Sequence, residues 1–89
     1  MSTYFVSPIK RQILATLRDS HGEHYGTAEI AAIIGEPIFR VRAELKDMAR
    51  RSWGPLVRET TIRRRREWEL TPAGEQVSWG EQLDFLGEL

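Results

Sequence analysis

The sequence contains no cysteine. That excludes a disulfide framework, a cysteine-ligated zinc or iron–sulfur site, and a thiol nucleophile. No apolar run approaches the roughly 18 residues that would suggest a membrane span. The opening "MSTYFVSPIKRQ" lacks the charged start and long apolar middle of a secretory leader. A soluble, cytoplasmic protein with no membrane partner is the expectation. No Gly-rich phosphate loop is present, and Ser7, Ser20, Ser52 and Ser78 have no credible histidine partner. Neither enzymatic activity nor a cofactor is expected. His21, Glu23 and His24 in "HGEH" bring three metal-capable side chains together. Their spacing suits no helix-borne metal pair, so they read as a polar loop.

Net charge is missing as well: 13 basic and 13 acidic residues cancel. The cancellation is uneven along the chain. Residues 1–39 carry three basic and four acidic side chains, residues 40–66 carry ten basic and three acidic, and residues 67–89 carry six acidic and none basic. A segment of net +7 is therefore followed by an acidic tail. Screening confines exposed charges to about 8–10 Å, so a polyanion would meet the local patch and not the total.

What the chain does have is enough apolar material for one folded domain. It is 89 residues long, 40% hydrophobic, with three tryptophans. Ser7-Pro8 is a cap followed by proline in the first turn, and Ile9, Ile13, Leu14 and Leu17 recur at helical spacing. A first helix is predicted over 8–20, ended by Gly22. "EHYG" suits a short strand. Thr27 is expected to cap a second helix, "AEIAAIIG", stopped at Gly35. A third helix is predicted over about 37–52, with Val41, Leu45 and Met48 as its inward stripe and Ile38 extending it.

Past "SWGP" the period changes to two. "LVRETTI" and "RREWELT" read as strands of a hairpin over about 57–70. The tip near Ile62–Arg64 has no Gly, Asn or Asp, which predicts a loop longer than a two-residue turn. Thr71-Pro72 repeats the cap-then-proline pattern and opens a last helix carrying Trp79, Leu83 and Leu86. The fold class is mainly α with a small β-hairpin, in the order α-β-α-α-β-β-α. We divide the chain into an arm (1–7), a central module (8–71) and a C-terminal helix (72–89).

"TAEIAAIIGEPIFRVRAELKDM" resembles the short helix, Gly-containing turn and striped helix of winged helix-turn-helix proteins. "WELTPAGEQ" is similar to the "Y-x-L-T-x-x-G" segment that closes the wing in MarR-like and PadR-like bacterial regulators. Trp68 stands for the aromatic residue, and Leu70, Thr71 and Gly74 match directly. The likeness spans about residues 8–76. The corner "RRSWGPLV" is longer than the usual start of the wing.

The resemblance implies a double-stranded DNA partner, with the third helix entering the major groove. Its outward face is expected to carry Arg40, Ala43, Asp47 and Arg50, flanked by Arg42 and Lys46. Arg40 and Arg42 are candidates for bidentate reading of guanine. Lys46, Arg50 and Arg51 are candidates for phosphate, which positions without reading sequence. The other expectation for this face is a solvated surface with pairs such as Arg40–Glu44. Phe39 could touch a thymine methyl, with packing on the second helix preferred. The start of the second helix, at Thr27-Ala28, could offer N–H groups to a phosphate.

In the wing, Arg63, Arg64 and Arg65 are assigned to phosphates or the minor groove. Arg66 is assigned to a cross-hairpin pair with Glu59 or to a place beside Trp68. The last helix, with Tyr4, Phe5 and Val6, either pads the first helix or forms a homodimer contact, and we lean to the dimer. The rival classes are a winged-helix protein-interaction module of a larger assembly and a non-specific nucleic-acid or replication-origin binder.

Overall fold

Ser7 opens the first helix as expected. Its backbone is extended, and its hydroxyl accepts the Lys10 N–H at 3.2 Å, with Pro8 in the first turn. In this computed structural model, which describes residues 6–20, 23–50 and 54–77, the helix α1 runs Pro8–Arg18. Gly22, the expected stop, lies outside the described residues. Helix α2 spans Thr27–Ile34 and helix α3 spans Ile38–Ala49. Between them Gly35 adopts φ 73°, and its N–H reaches the Ala31 carbonyl at 2.9 Å. Only a residue without Cβ takes that left-handed position without cost.

Strands β1 (Val57–Ile62) and β2 (Arg65–Leu70) form one antiparallel hairpin in which Val57 faces Leu70, Glu59 faces Trp68 and Ile62 faces Arg65. The expected strand at "EHYG" is reduced to one bridge: the Trp68 N–H donates to the Tyr25 carbonyl at 2.8 Å. A fourth helix begins at residue 72 and is described to residue 77. Arg51, the arm residues Tyr4 and Phe5, and Trp79, Leu83 and Leu86 of the expected dimer contact, lie outside the described residues.

One core joins these elements. Ile13, Leu14 and Leu17 of α1 meet Ile30 and Ala31 of α2, Val41, Leu45 and Met48 of α3, Leu56 and Val57 at the start of the hairpin, and Trp68. Burying each large aliphatic side chain contributes about 1.5–3 kcal/mol, so the helical stripe read from the sequence is also what fixes α3 in place. Ile38 departs from that stripe and is 41% exposed. It lies in the first turn, where the helix has left the core.

The segment "LTPAG" locks the hairpin to the end of α3. The Leu56 N–H donates to the Met48 carbonyl at 3.0 Å, and the Thr71 N–H donates to the Leu56 carbonyl at 3.1 Å. The Thr71 hydroxyl donates to the Pro55 carbonyl and accepts the Gly74 N–H at 3.0 Å. Gly74 presses so closely that a Cβ there would stand 1.8 Å from the Leu56 carbonyl oxygen. Thr and Gly at this spacing therefore have a physical cause: the hydroxyl bridges corner and helix start, and the missing side chain lets the two backbones meet.

Candidate nucleic-acid interface

Helix α3 contains two acids, Glu44 and Asp47, and both are drawn to α1. Lys10, one of the buried residues, places its Nζ 3.3 Å from Glu44 Oε1 and 2.9 Å from Asp47 Oδ2. The Ser7 hydroxyl also donates to Glu44 Oε2 at 2.9 Å. Asp47, expected on the outward face, is thus turned aside, and the alternative pair Arg40–Glu44 does not form. The attraction of a part-buried ammonium outweighs an exposed i, i+4 contact, which is worth about 0.3–0.5 kcal/mol.

What remains outward is basic. Arg40, Arg42, Lys46 and Arg50 are all exposed, and none is within ion-pair distance of an acid among the described residues. The start of α3 has neither an acid in its first turn nor a side-chain cap, so the positive end of its dipole is uncompensated by side chains.

The start of α2 contrasts with it. Its N-cap is Gly26, not Thr27, and Glu29 Oε1 accepts the Gly26 N–H at 2.9 Å. A carboxylate already stands where a phosphate was considered. The Thr27 hydroxyl instead accepts the indole N–H of Trp68 at 3.0 Å, satisfying the polar atom of a buried ring.

The hairpin tip corrects two expectations. With Ile62 opposite Arg65, the turn contains only Arg63 and Arg64, at φ 51° and 67°. Positive φ at both central residues is the geometry that fits the strand twist, even without the Gly or Asn that adopts it most easily. The ion pairing of the last two arginines also differs from expectation. Arg65 is engaged: its Nη2 lies 3.2 Å from Glu29 Oε1 and its Nε 4.0 Å from Glu67 Oε2. Arg66 is exposed opposite Thr61, with neither the Glu59 pair nor a Trp68 contact among the described residues. Arg63, Arg64 and Arg66 therefore form the unpaired cluster.

The second face of the hairpin is less open than alternation suggests. Glu67 keeps only 12% of its side chain exposed, and Glu69 lies between Arg58 Nε at 3.2 Å and His24 Nε2 at 3.6 Å. The segment before α2 runs beside β2 and covers it. Among the described residues no three metal-capable side chains converge. His21 lies outside them.

Phe39, expected to pack on α2, does not; it is 68% exposed. Helical spacing places it on one stripe with Ala43, Lys46 and Arg50, the face most nearly opposite Val41, Leu45 and Met48. The signal available in the sequence was that stripe, counted from the core residues outward.

Three helices with an antiparallel hairpin docked at the end of the third define a winged-helix fold. Among solved structures, a point mutant of ZitR from Lactococcus lactis matches it with a TM-score of 0.72 at 18% sequence identity. The match covers 99% of this chain but only 62% of that one, so the chain spans less than two thirds of its structural neighbour. No family model and no curated protein matches the sequence. No helix among the described residues is long and apolar enough to cross a membrane.

Proposed function

We propose that this chain is a sequence-specific double-stranded DNA-binding protein acting as a transcriptional regulator, with α3 in the major groove and the hairpin as a wing. The observation that carries this reading is the sorting of charge on α3. Lys10 holds both acids of that helix, which leaves Arg40, Arg42, Lys46 and Arg50 as an uncompensated surface. A module that met only neutral protein surfaces would have no use for such sorting. The regulator-like fold shared with ZitR supports the same reading.

Arg40 and Arg42 are the base readers, since a guanidinium can donate two hydrogen bonds to guanine. Lys46 and Arg50 meet phosphates. Arg63 and Arg64 reach phosphates or the minor groove, Arg66 joins them, and Arg65 does so only by leaving Glu29. A homodimer in the cytoplasm, reading two half-sites about one helical turn apart, completes the proposal.

Salt titration of duplex binding tests it. For about six phosphate contacts, log K against log salt should fall with a slope near −5. A flat response would point instead to a protein-interaction module. If duplex binds, Arg40→Ala should relax base preference, whereas Arg64→Ala should weaken all sequences alike. Equal loss of specificity in both would refute the division between helix and wing.

A further inference from the structure

A polyanion-facing surface has no electrostatic need for an exposed aromatic ring, yet α3 carries one on its outward stripe. Phe39 is the most exposed large hydrophobic residue described, at 68%. Ala43 stands one turn further on the same stripe and is also exposed, with Arg40 and Arg42 on either side and Lys46 beyond. The result is an apolar step one side chain wide, framed by unpaired cations.

We infer that Phe39 and Ala43 read the C5-methyl group of a thymine in the major groove. The inference rests on the DNA-binding reading above and assigns a base to it. The chemistry is specific: among the four bases, only thymine projects an apolar group into the major groove, and Ala and Phe are side chains that contact it. The framing also argues for DNA over protein. A protein-facing ring would be surrounded by apolar rim, whereas here, apart from the 41% exposed Ile38, the ring is flanked by Arg40 and Arg42, the two side chains assigned above to guanine. Phe39 also lies in the first turn, the part of a recognition helix that lies nearest the base edges. A 5-methylcytosine presents the same methyl at the same place, so the shared chemistry is a 5-methylpyrimidine.

The test uses the full chain and a duplex selected on it from a random-sequence pool. Each thymine is replaced in turn by uracil, which removes one methyl and alters no hydrogen bond. For the wild-type chain, one or two positions should lose about fourfold in affinity, the value expected for one methyl group returned to water. Phe39→Ala should bind the parent duplex about as weakly as wild type binds the uracil duplex, and should show no further loss with uracil. Phe39→Leu should keep part of the discrimination. Replacing cytosines by 5-methylcytosine separates the two sources, since only a cytosine under the step would then gain affinity.

Because Phe39 is exposed, its truncation should leave thermal stability nearly unchanged, and a melting curve confirms that each variant is folded. Uracil insensitivity of the wild-type chain would overturn the inference while leaving DNA binding intact. So would a Phe39→Ala chain that retains the full uracil penalty. Loss of self-association in Phe39→Ala, with duplex affinity unchanged, would show that the ring meets protein instead. Absence of duplex binding at low salt would instead defeat the underlying reading.

Discussion

Helix α3 and the hairpin are both rich in arginine, but they hold it in opposite ways. On α3 the acids are removed to Lys10 and the outward cations are left free. In the hairpin acids alternate with arginines and pair with them: Arg58 is tied to Glu69, and Arg65 to Glu67 and to Glu29 of α2. The helix is fixed by Val41, Leu45 and Met48 in the core, whereas the hairpin is held by Trp68, Val57 and the backbone seam at Leu56. The difference suits two roles. A base reader must be presented rigidly, because misplacement removes discrimination. A wing that contacts phosphates needs reach more than precision, and two of its arginines are already committed to its own fold.

The largest expected effect comes from breaking the seam that holds the wing. Gly74→Ala would force a Cβ against the Leu56 backbone, which cannot move without disturbing its bonds to Met48 and Thr71. Overpacking against backbone should cost about 3 kcal/mol or more. Thermal or urea unfolding followed by tryptophan fluorescence would measure it. A loss below about 1 kcal/mol would mean that the seam adjusts and does not set the position of the wing.

A smaller effect tests the helix side. Lys10→Met keeps the packing of the stem but removes the ammonium that Glu44 and Asp47 share. Breaking a fully buried pair costs about 3–5 kcal/mol; with Asp47 half exposed we expect about 2 kcal/mol. The released carboxylates should also weaken the proposed duplex binding, although Lys10 lies on α1 and not on the proposed recognition helix. Unchanged affinity in a folded variant would show that the sorting of charge on α3 has no bearing on function.

The sequence made some of this legible and hid the rest for identifiable reasons. Helical periodicity exposed Val41, Leu45 and Met48, because a 3.6-residue stripe is a local property. Alternation around Trp68 showed which strand residues share a face, but the register, which closes on a two-residue turn, was not legible from it. Arg65 could not be assigned that way, because its partner Glu29 is 36 residues distant and is brought close only by the docking of β2 beside α2. Thr27 resembles a cap for the same reason, since nothing nearby reveals that the Trp68 indole claims its hydroxyl. Phe39 was missed because apolar residues are usually inward, although its angle from Val41, Leu45 and Met48 already placed it on the outward stripe. The fold was written in local patterns; the allocation of charges was written in tertiary contacts.

The tip of the wing offers the smallest and sharpest test of the contrast between helix and hairpin. Arg63 and Arg64 both adopt positive φ, which residues with a Cβ take at a cost of about 1–2 kcal/mol each. A turn optimised only for folding would carry Asn-Gly there. Arg63→Asn together with Arg64→Gly should therefore stabilise the chain by about 1 kcal/mol, raising its melting temperature by about 4–8 °C. The same change removes two cations, so the slope of log K against log salt should become shallower by about 1.8. Arg63→Lys with Arg64→Lys should restore the slope without the stabilisation, because lysine keeps the charge and the Cβ. If the Asn-Gly chain gains stability but keeps its slope, the tip arginines do not meet phosphate. A wing that binds DNA would instead trade a relaxed turn for charge at its tip, a trade that the core-anchored α3 never faces.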